Sequence, residues 1–232
     1  MKQKVLNGRV FDSEIISKPR ICTIVDALEI QSWTHLFTNH THVLHEQQIR
    51  DFYYNFKFTE DGSINTRVGD MILLLNEERL GEILNFPREG IRSLIGKFCS
   101  KGFPKECDKL TKLNCAGISK KLLKGYYQLL FEFINKVLLP RSEKRTVASA
   151  ADLFVMEALN TFEPLNLPTL ILEHMRKTVI TQKGKHGMGY GYFLTKVFKH
   201  LDIPLGEGTI RTMKQTFSMN TLVECEIMEG RT

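Results

Sequence analysis

The sequence predicts a mainly α protein with a small antiparallel β element, an α+β fold whose C-terminal part is helical around a long core helix. Residues 118–140 carry apolar side chains at the spacing of a helix that is buried on most of its circumference. Between residues 55 and 75 the hydrophobic period shortens towards two, which is typical of strands. The chain has 232 residues, 42% of them hydrophobic and 25% charged, so it can bury a core without metals or disulfides.

The predicted core helix covers residues 118–140. Its apolar side chains recur every three or four residues, and further apolar residues widen this face until little polar surface remains. Ser119 can cap the start of the helix, and Pro140 ends it because the proline ring cannot continue the hydrogen-bond ladder. The apolar face consists of Leu122, Tyr126, Leu129, Leu130, Phe133 and Val137.

The N-terminal part begins with an extended lead-in over residues 1–20, followed by two helices. The first helix is predicted over residues 23–38, where Thr23 can act as the N-cap. The second is predicted over residues 43–56, where the apolar residues again share one face.

A β-hairpin is predicted next, in the segment FKFTEDGSINTRV. Its turn signal is Asp61-Gly62, and Asp70 begins either a third strand or the approach to a helix. Asn76 can cap a helix over residues 77–84, because its side chain can accept a hydrogen bond from the first turn.

A boundary is predicted within residues 88–117, which contain several glycines and scattered lysines. We expect irregular structure there, with at most a short helix around residues 91–98. The chain is therefore divided into an N-terminal α+β part with the hairpin (residues 1–113), a helical part (residues 114–206) and a short tail (residues 207–232).

Three further helices are predicted after the core helix. They cover residues 146–159, with the start at either residue 145 or 146, then residues 168–181 and residues 190–201. Asn166 can cap the second of these helices. The tail alternates enough in polarity to form a short hairpin around residues 219–220.

The chain carries no sequence signal for secretion or for a membrane span. Its N-terminus lacks an apolar block of signal-peptide length, and there is no run of about 18 apolar residues. Its five cysteines include no CxxC pair, which favours reduced thiols. We therefore expect an intracellular protein, cytoplasmic or nuclear, that is not secreted and has no membrane partner.

Positive charge is concentrated in residues 97–146. This segment contains twelve Lys or Arg against four Asp or Glu, a net charge of +8, so the rest of the chain carries −2 of the total of +6. A local basic excess attracts the phosphate backbone of nucleic acids. The alternative is that these lysines only solvate a loop and one helix face, because no aromatic or sequence motif accompanies them. The candidate nucleic-acid-binding residues are Lys97, Lys101, Lys105, Lys109, Lys112, Lys120, Lys121, Lys124, Arg141, Lys144 and Arg145.

Two groups of residues resemble metal ligands without matching a metal-site spacing. Four histidines lie within eleven positions, but the HxxxH and HExxH spacings of zinc sites are absent. Three cysteines recur every eight residues, whereas a zinc knuckle needs closely spaced pairs. No metal site is therefore predicted. The residues concerned are His35, His40, His42 and His45, and Cys99, Cys107 and Cys115.

The glycine-rich segment HGMGYGYF, residues 186–193, is interpreted as a loop that lets two helices turn. It lacks the spacing of a dinucleotide-binding loop, and no GxxxxGK[ST] phosphate loop or GxSxG nucleophile elbow occurs in the chain. No carboxylate trio for nuclease chemistry can be identified either. The sequence therefore predicts no catalytic residue, no cofactor and no small-molecule ligand.

Several stretches resemble the plant transposon protein domain family, which is found in plant retroelement-derived reading frames. In chain order they are LNGRVFDSEII (6–16), EQQIRDFYYNFKFTEDGSINTRVGDMILLLNEERLGEILNFP (46–87), KVLLPRSEKRTVASAADLFVMEALN (136–160), GYGYFLTKVFKHLDIPLG (189–206) and TLVECEIMEG (221–230). These are packing and turn motifs without a catalytic residue. The resemblance implies an origin in a plant mobile element and transfers no active site.

Three classes of function follow as hypotheses. The first is a non-enzymatic, element-derived protein whose basic segment binds or packages nucleic acid. The second is a protein-interaction or self-assembly module, which would use an apolar patch or the exposed edge of the hairpin to bind itself or other element-encoded proteins. The third is a metal-dependent nuclease or transposase.

Overall fold

The computed structural model of the protein describes residues 3–6, 8–37, 43–97, 117–123, 125–143, 145–180, 187–210 and 216–228. Helices make up about half of these residues, and the strands form small sheets of two or three members. The structure is therefore mainly helical with small β elements, in agreement with the predicted α+β class.

The helices are α1 Ser13–Ile16, α2 Cys22–Ile30, α3 Thr34–Phe37, α4 Glu46–Tyr54, α5 Glu77–Leu84, α6 Gly125–Phe133, α7 Ala150–Asn160, α8 Leu167–Ile180, α9 Gly191–His200 and α10 Met219–Glu224. The strands are β1 Val10–Phe11, β2 Val43–Leu44, β3 Lys57–Phe58, β4 Ile64–Val68, β5 Met71–Leu75, β6 Ile118–Ser119, β7 Val147–Ala148, β8 Thr209–Ile210 and β9 Thr216–Phe217.

The predicted hairpin is confirmed as part of a three-stranded antiparallel sheet in the order β3-β4-β5. Ile64 pairs with Leu75, and the register continues to Val68 opposite Met71. Of the two alternatives for the segment that begins at Asp70, the structure contains the strand, β5.

Two predicted helix caps are also confirmed. The side chain of Asn76 accepts a hydrogen bond from the backbone N–H of Arg79 at 2.8 Å and caps α5. The side chain of Asn166 accepts one from the N–H of Thr169 at 3.1 Å at the start of α8. Both caps satisfy a backbone donor of the first helical turn.

The core helix predicted over residues 118–140 is wrong at its N-terminal end. β6 pairs there with β7, and Lys120–Leu122 is a 3-10 turn, so α6 begins only at Gly125. Ser119 makes no side-chain capping bond. Backbone pairing with a distant strand has replaced the first helical turns, which the apolar pattern alone could not reveal.

The remainder of this helix is buried, as its apolar pattern predicted. Leu129, Leu130 and Phe133 are each at most 1% exposed. After Phe133 the helix continues as a π-helical segment, Ile134–Leu138. α6 packs against α7 and α10 and contributes several residues to the hydrophobic core.

The hairpin predicted around residues 219–220 is wrong, because these residues begin α10. Ser218 and Thr221 form a capping box at the start of this helix. The strand residues of the tail pair with distant partners instead: β9 is parallel to β1, and β8 is antiparallel to β2. Alternating polarity thus indicated strand residues at 209–210 and 216–217 but wrongly predicted a strand where α10 lies.

The other predicted helices are present with shifted ends. The helix predicted over residues 23–38 is divided into α2 and α3, and those predicted over residues 43–56, 146–159, 168–181 and 190–201 correspond to α4, α7, α8 and α9. Thr23 is not a cap, since the N-cap of α2 is Ile21. α7 starts late because Ser149 forms a capping box with Asp152. The described residues 88–97 contain no helix, and the rest of the short helix predicted around residues 91–98 lies outside the described residues.

One hydrophobic core connects the described parts of the chain. It includes Phe52 from the predicted N-terminal part, Phe133 from the helical part and Phe217 from the tail. The division into parts after residues 113 and 206 stays a prediction. Among the described helices, none is both long and apolar enough to cross a lipid bilayer.

Candidate nucleic-acid interface

Four basic side chains lie close enough to interact electrostatically around Lys136 and its ion-pair partner on α6, Glu132. Lys120 follows β6, Lys136 lies in the π-helical continuation of α6, Arg145 precedes β7 and Arg9 precedes β1. Their charges act on one another, since the pKa of Lys136 responds to the other three basic residues and to Glu132. We call Arg9, Lys120, Lys136 and Arg145 the basic cluster.

Glu132 forms ion pairs with two members of the basic cluster. The Nζ atom of Lys120 lies 2.8 Å from Oε1, and the Nζ atom of Lys136 lies 3.8 Å from Oε2. The exposed fractions of the Lys120, Lys136 and Glu132 side chains are 21%, 16% and 14%. These groups are therefore less screened by solvent than an ordinary surface ion pair.

The pKa of Lys136 reflects both burial and the local excess of positive charge. This pKa is lowered from 10.5 to about 8, chiefly by burial; Glu132 opposes this shift, and the charges of Arg145, Arg9 and Lys120 contribute to it. The single carboxylate of Glu132 does not compensate for burial and for three neighbouring positive charges. The protonated amine of Lys136 is therefore in an unfavourable environment. A second anion at this position would favour the protonated form.

Two members of the basic cluster are positioned by contacts outside it. Pairing of β1 with β9 places the guanidinium carbon of Arg9 5.5 Å from the ring centroid of Phe217, a cation–π contact. The Nε atom of Arg145 donates a hydrogen bond to the carbonyl oxygen of Arg141 at 2.8 Å. The cluster is thus assembled from the N-terminal segment and the middle of the chain, and Phe217 near the C-terminus contacts Arg9.

Arg141, a predicted nucleic-acid-binding residue, is engaged inside the protein. Its two terminal nitrogens bind the carboxylate of Asp152 at 2.9 and 2.7 Å, and Nη2 also donates to the carbonyl of Val147 at 3.3 Å. Its guanidinium lies over the ring of Phe131 at 5.7 Å. The side chain is only 11% exposed, which indicates a structural role.

The structure brings two of the predicted binding residues, Lys120 and Arg145, into the basic cluster. Lys97 and Lys121 are exposed, and Lys121 lies on the same 3-10 turn as Lys120. The remaining candidates lie outside the described residues; they are Lys101, Lys105, Lys109, Lys112, Lys124 and Lys144.

Sequence reasoning missed two members of the cluster. Lys136 lies four residues after Glu132, and this helical spacing is a signal that could have identified it. Arg9 lies far from the basic segment in the sequence. Tertiary packing brings it close, since Phe11 contacts Phe133 of α6 with ring centroids 5.6 Å apart, and no sequence signal indicates this contact.

Of the four histidines that lie close together in the sequence, the two that the structure describes, His35 and His45, contact different backbone carbonyls. The Nε2 atom of His35 lies 2.8 Å from the carbonyl oxygen of Leu84, and the Nδ1 atom of His45 lies 3.0 Å from that of Gly206. His40 and His42 lie outside the described residues. Within the described ranges, no group of three or more His, Cys, Asp or Glu could hold a metal ion.

The described cysteines differ in their accessibility. Cys22 is exposed, whereas Cys225 is buried and burial raises its pKa to about 11. A thiol with so high a pKa is a poor nucleophile at neutral pH. The three evenly spaced cysteines, Cys99, Cys107 and Cys115, lie outside the described residues.

The glycine-rich segment is described from residue 187 onward, and its Gly191 packs closely against neighbouring elements. The N–H of Gly191 donates to the carbonyl of Leu6 at 3.2 Å, and a Cβ at this position would overlap the side chain of Leu44. A glycine is therefore required where α9 begins against β2. Residues 181–186 lie outside the described residues.

A cleft of about 1450 Å³ lies between α5, α7, α8 and residues 88–97. Its charged walls are connected by ion pairs, with Arg88 3.3 Å from Glu78 and Arg92 bound to Glu77. Glu173 accepts hydrogen bonds from the backbone N–H of Leu94 at 3.3 Å. These contacts attach residues 88–97 to α5 and α8, which is a structural role.

Comparison of the chain with protein-family models, with characterised proteins and with solved structures gives no match.

Proposed function

We propose that the protein binds nucleic acid through the phosphate backbone, with the basic cluster as its contact site. The supporting observation is that Lys136 interacts electrostatically with three other basic side chains, Arg9, Lys120 and Arg145, while one carboxylate, Glu132, pairs with Lys120 and Lys136. With Lys136 protonated, these five side chains sum to +3. A phosphate group beside them would offset the repulsion among the four cations.

The partly buried position of the cluster suits this role. Fully exposed lysines attract phosphates weakly, because water and salt screen them. Lys120 and Lys136 are mostly shielded from solvent and held by Glu132, so less conformational entropy is lost when an anion binds. Contacts of this kind recognise charge and not base sequence, so the proposal includes no sequence preference.

The proposal extends to the exposed lysines around the cluster. Lys121 is exposed beside Lys120, and the lysines of residues 97–146 that lie outside the described residues belong to the same basic segment. The proposed activity is binding alone, without an enzymatic step. We also propose an origin in a plant mobile element, which is supported by the resemblance of five stretches to the plant transposon protein domain family.

Binding and its salt dependence test the proposal. Fluorescence anisotropy would be measured with single-stranded RNA and duplex DNA from low to physiological salt, for the wild type and for a Lys120→Gln, Arg145→Gln double variant. Each lost phosphate contact lowers the slope of log affinity against log salt by about 0.9 for duplex DNA, so we expect a reduction of about 1.8 in the double variant.

A matched control removes the same net charge elsewhere. Lys57 on β3 and Lys177 on α8 are both exposed, and the Lys57→Gln, Lys177→Gln double variant should retain the wild-type slope. Equal losses in the two double variants would show that only net charge matters and would contradict a defined site. Absence of binding by the wild type at low salt would contradict the proposed function itself.

A further inference from the structure

Strand β5 forms an edge of the three-stranded sheet and presents apolar side chains to solvent. The order β3-β4-β5 leaves one side of β5 without a neighbouring strand in the part of the chain that the structure describes. Met71, Ile72 and Leu74 are 45%, 77% and 47% exposed. Soluble proteins usually protect such edges with charged residues, proline or a covering element, but the sequence of β5 is MILLL.

The backbone of β5 offers hydrogen-bonding groups on this free side. The two-residue turn Gly69-Asp70 connects β4 to β5, and the first pair of residues after this turn is Val68 with Met71. The hydrogen-bond direction alternates along an antiparallel strand, so Ile72 and Leu74 direct their N–H and C=O groups away from β4.

Arg79 supports this assignment independently. Its Nη1 atom donates a hydrogen bond to the carbonyl oxygen of Leu74 at 3.1 Å, which requires that this carbonyl point away from β4. A carbonyl oxygen has two lone pairs, so Leu74 can accept a second hydrogen bond from another strand.

We propose that β5 pairs with β5 of a second copy of this chain, forming an antiparallel, two-fold symmetric dimer with one continuous six-stranded sheet. The pairing is centred on Leu73, so that Ile72 of each copy lies opposite Leu74 of the other. In this register the outward N–H and C=O groups of Ile72 and Leu74 form hydrogen bonds across the dimer interface. The exposed side chains of Ile72 and Leu74 from both copies then form one apolar cluster on the outer face.

Charge complementarity favours a second copy over an unrelated strand. β5 itself is uncharged, so two copies can face each other without repulsion. Asp70 lies immediately before β5, and the Arg79 side chain lies beside the strand at Leu74. In the antiparallel pair, Asp70 of each copy lies at the same end of the interface as Arg79 of the other copy. The two-fold symmetry therefore gives two such pairs of opposite charge.

Sedimentation velocity tests this inference. The protein concentration is varied from about 1 to 200 µM, the range in which weak dimers dissociate. We expect the wild type to shift from monomer to dimer, and Ile72→Lys to raise the dimer dissociation constant at least tenfold, because a charge enters the apolar seam. Ile95→Lys is the matched control: Ile95 is 80% exposed and lies outside the sheet, so this variant should dimerise like the wild type.

A charge exchange tests the register and does not depend on the lysine variant folding well. Asp70→Arg should weaken the dimer, and Asp70→Arg combined with Arg79→Asp should restore it. A wild type that stays monomeric throughout overturns the proposal and leaves the edge to a strand from a different protein. Equal dimerisation of the wild type and Ile72→Lys, with unchanged thermal unfolding, overturns the assignment of the interface to β5.

Discussion

Arg141 and Asp152 form a bidentate ion pair at the start of α7, with nitrogen–oxygen distances of 2.9 and 2.7 Å. Asp152 is fully buried and also accepts hydrogen bonds from the backbone N–H and the hydroxyl of Ser149 at 2.6 and 2.7 Å. Arg141 belongs to the basic segment for which composition predicted nucleic-acid binding. Its contacts with Asp152 and with the carbonyl of Val147 hold the loop that carries Arg145.

We expect Arg141→Ala to lower the free energy of unfolding by about 3–5 kcal/mol, because it leaves the buried carboxylate of Asp152 without its partner. Urea unfolding measures this effect. Lys121→Ala, at an exposed position in the same basic segment, should change stability by less than about 0.5 kcal/mol. If the two substitutions cost the same, the ion pair has no structural role.

Binding of nucleic acid should weaken as the pH rises from about 7 to 9. Burial lowers the pKa of Lys136 to about 8, so the amine loses its charge in this range, while a bound phosphate favours the protonated form. Anisotropy at constant ionic strength measures the effect. Lys136→Arg should remove most of this pH dependence, and Lys136→Met should bind weakly at every pH. A wild-type affinity that is constant from pH 7 to 9 would contradict this role of Lys136.

The same lowered pKa predicts how stability changes with pH. In the folded protein Lys136 releases its proton near pH 8, whereas in the unfolded chain it keeps the proton up to its ordinary pKa of 10.5. Between these values the unfolded state binds more protons, so the contribution of Lys136 to stability rises with pH. Urea unfolding should show the wild type gaining stability relative to Lys136→Met from pH 8 to 10. A constant difference would contradict the shifted pKa.

Local sequence signals predicted the helix caps at Asn76 and Asn166, although those at Thr23 and Ser119 were wrong. The caps at Asn76 and Asn166 each involve a donor three residues away, so the sequence contains the whole interaction. The start of α6 and the partners of the tail strands could not be predicted in this way, whereas α10 begins at a capping box of Ser218 and Thr221, which is a local signal. β6 pairs with β7, and β9 pairs with β1 at the other end of the chain, so the deciding partners are distant in sequence. The basic cluster could not be predicted for the same reason, because Arg9 reaches it through packing of the N-terminal segment against α6, where Phe11 contacts Phe133.

Gly90→Ala should be strongly destabilising because two effects combine. Gly90 has a φ of +88°, and an added Cβ would overlap the carbonyl of Pro164, where Ile91 pairs with Leu165. Gly62 is the matched control: its φ is +83°, but nothing lies within 4 Å of an added Cβ. Gly62→Ala should cost about 1–2 kcal/mol from the backbone conformation alone.

The overlap at Gly90 should add roughly 1–3 kcal/mol to that cost. Thermal unfolding of both variants separates the two contributions. Equal losses of stability would show that the segment around Gly90 can move away from Pro164, and that the contact between residues 88–97 and the start of α8 is not fixed.

Two leucines that the apolar pattern placed on one helix face should respond differently to truncation. Leu130 is 1% exposed on α6, whereas Leu122 is 61% exposed in the 3-10 turn that precedes it. Leu130→Ala should cost about 2–5 kcal/mol by leaving a cavity in the core, and Phe133→Ala a similar amount. Leu122→Ala should cost less than about 1 kcal/mol, because little apolar surface is lost there. A continuous helix from Ser119, as the periodicity alone predicts, would bury both leucines and make both substitutions costly, so urea midpoints of this pair distinguish the two arrangements.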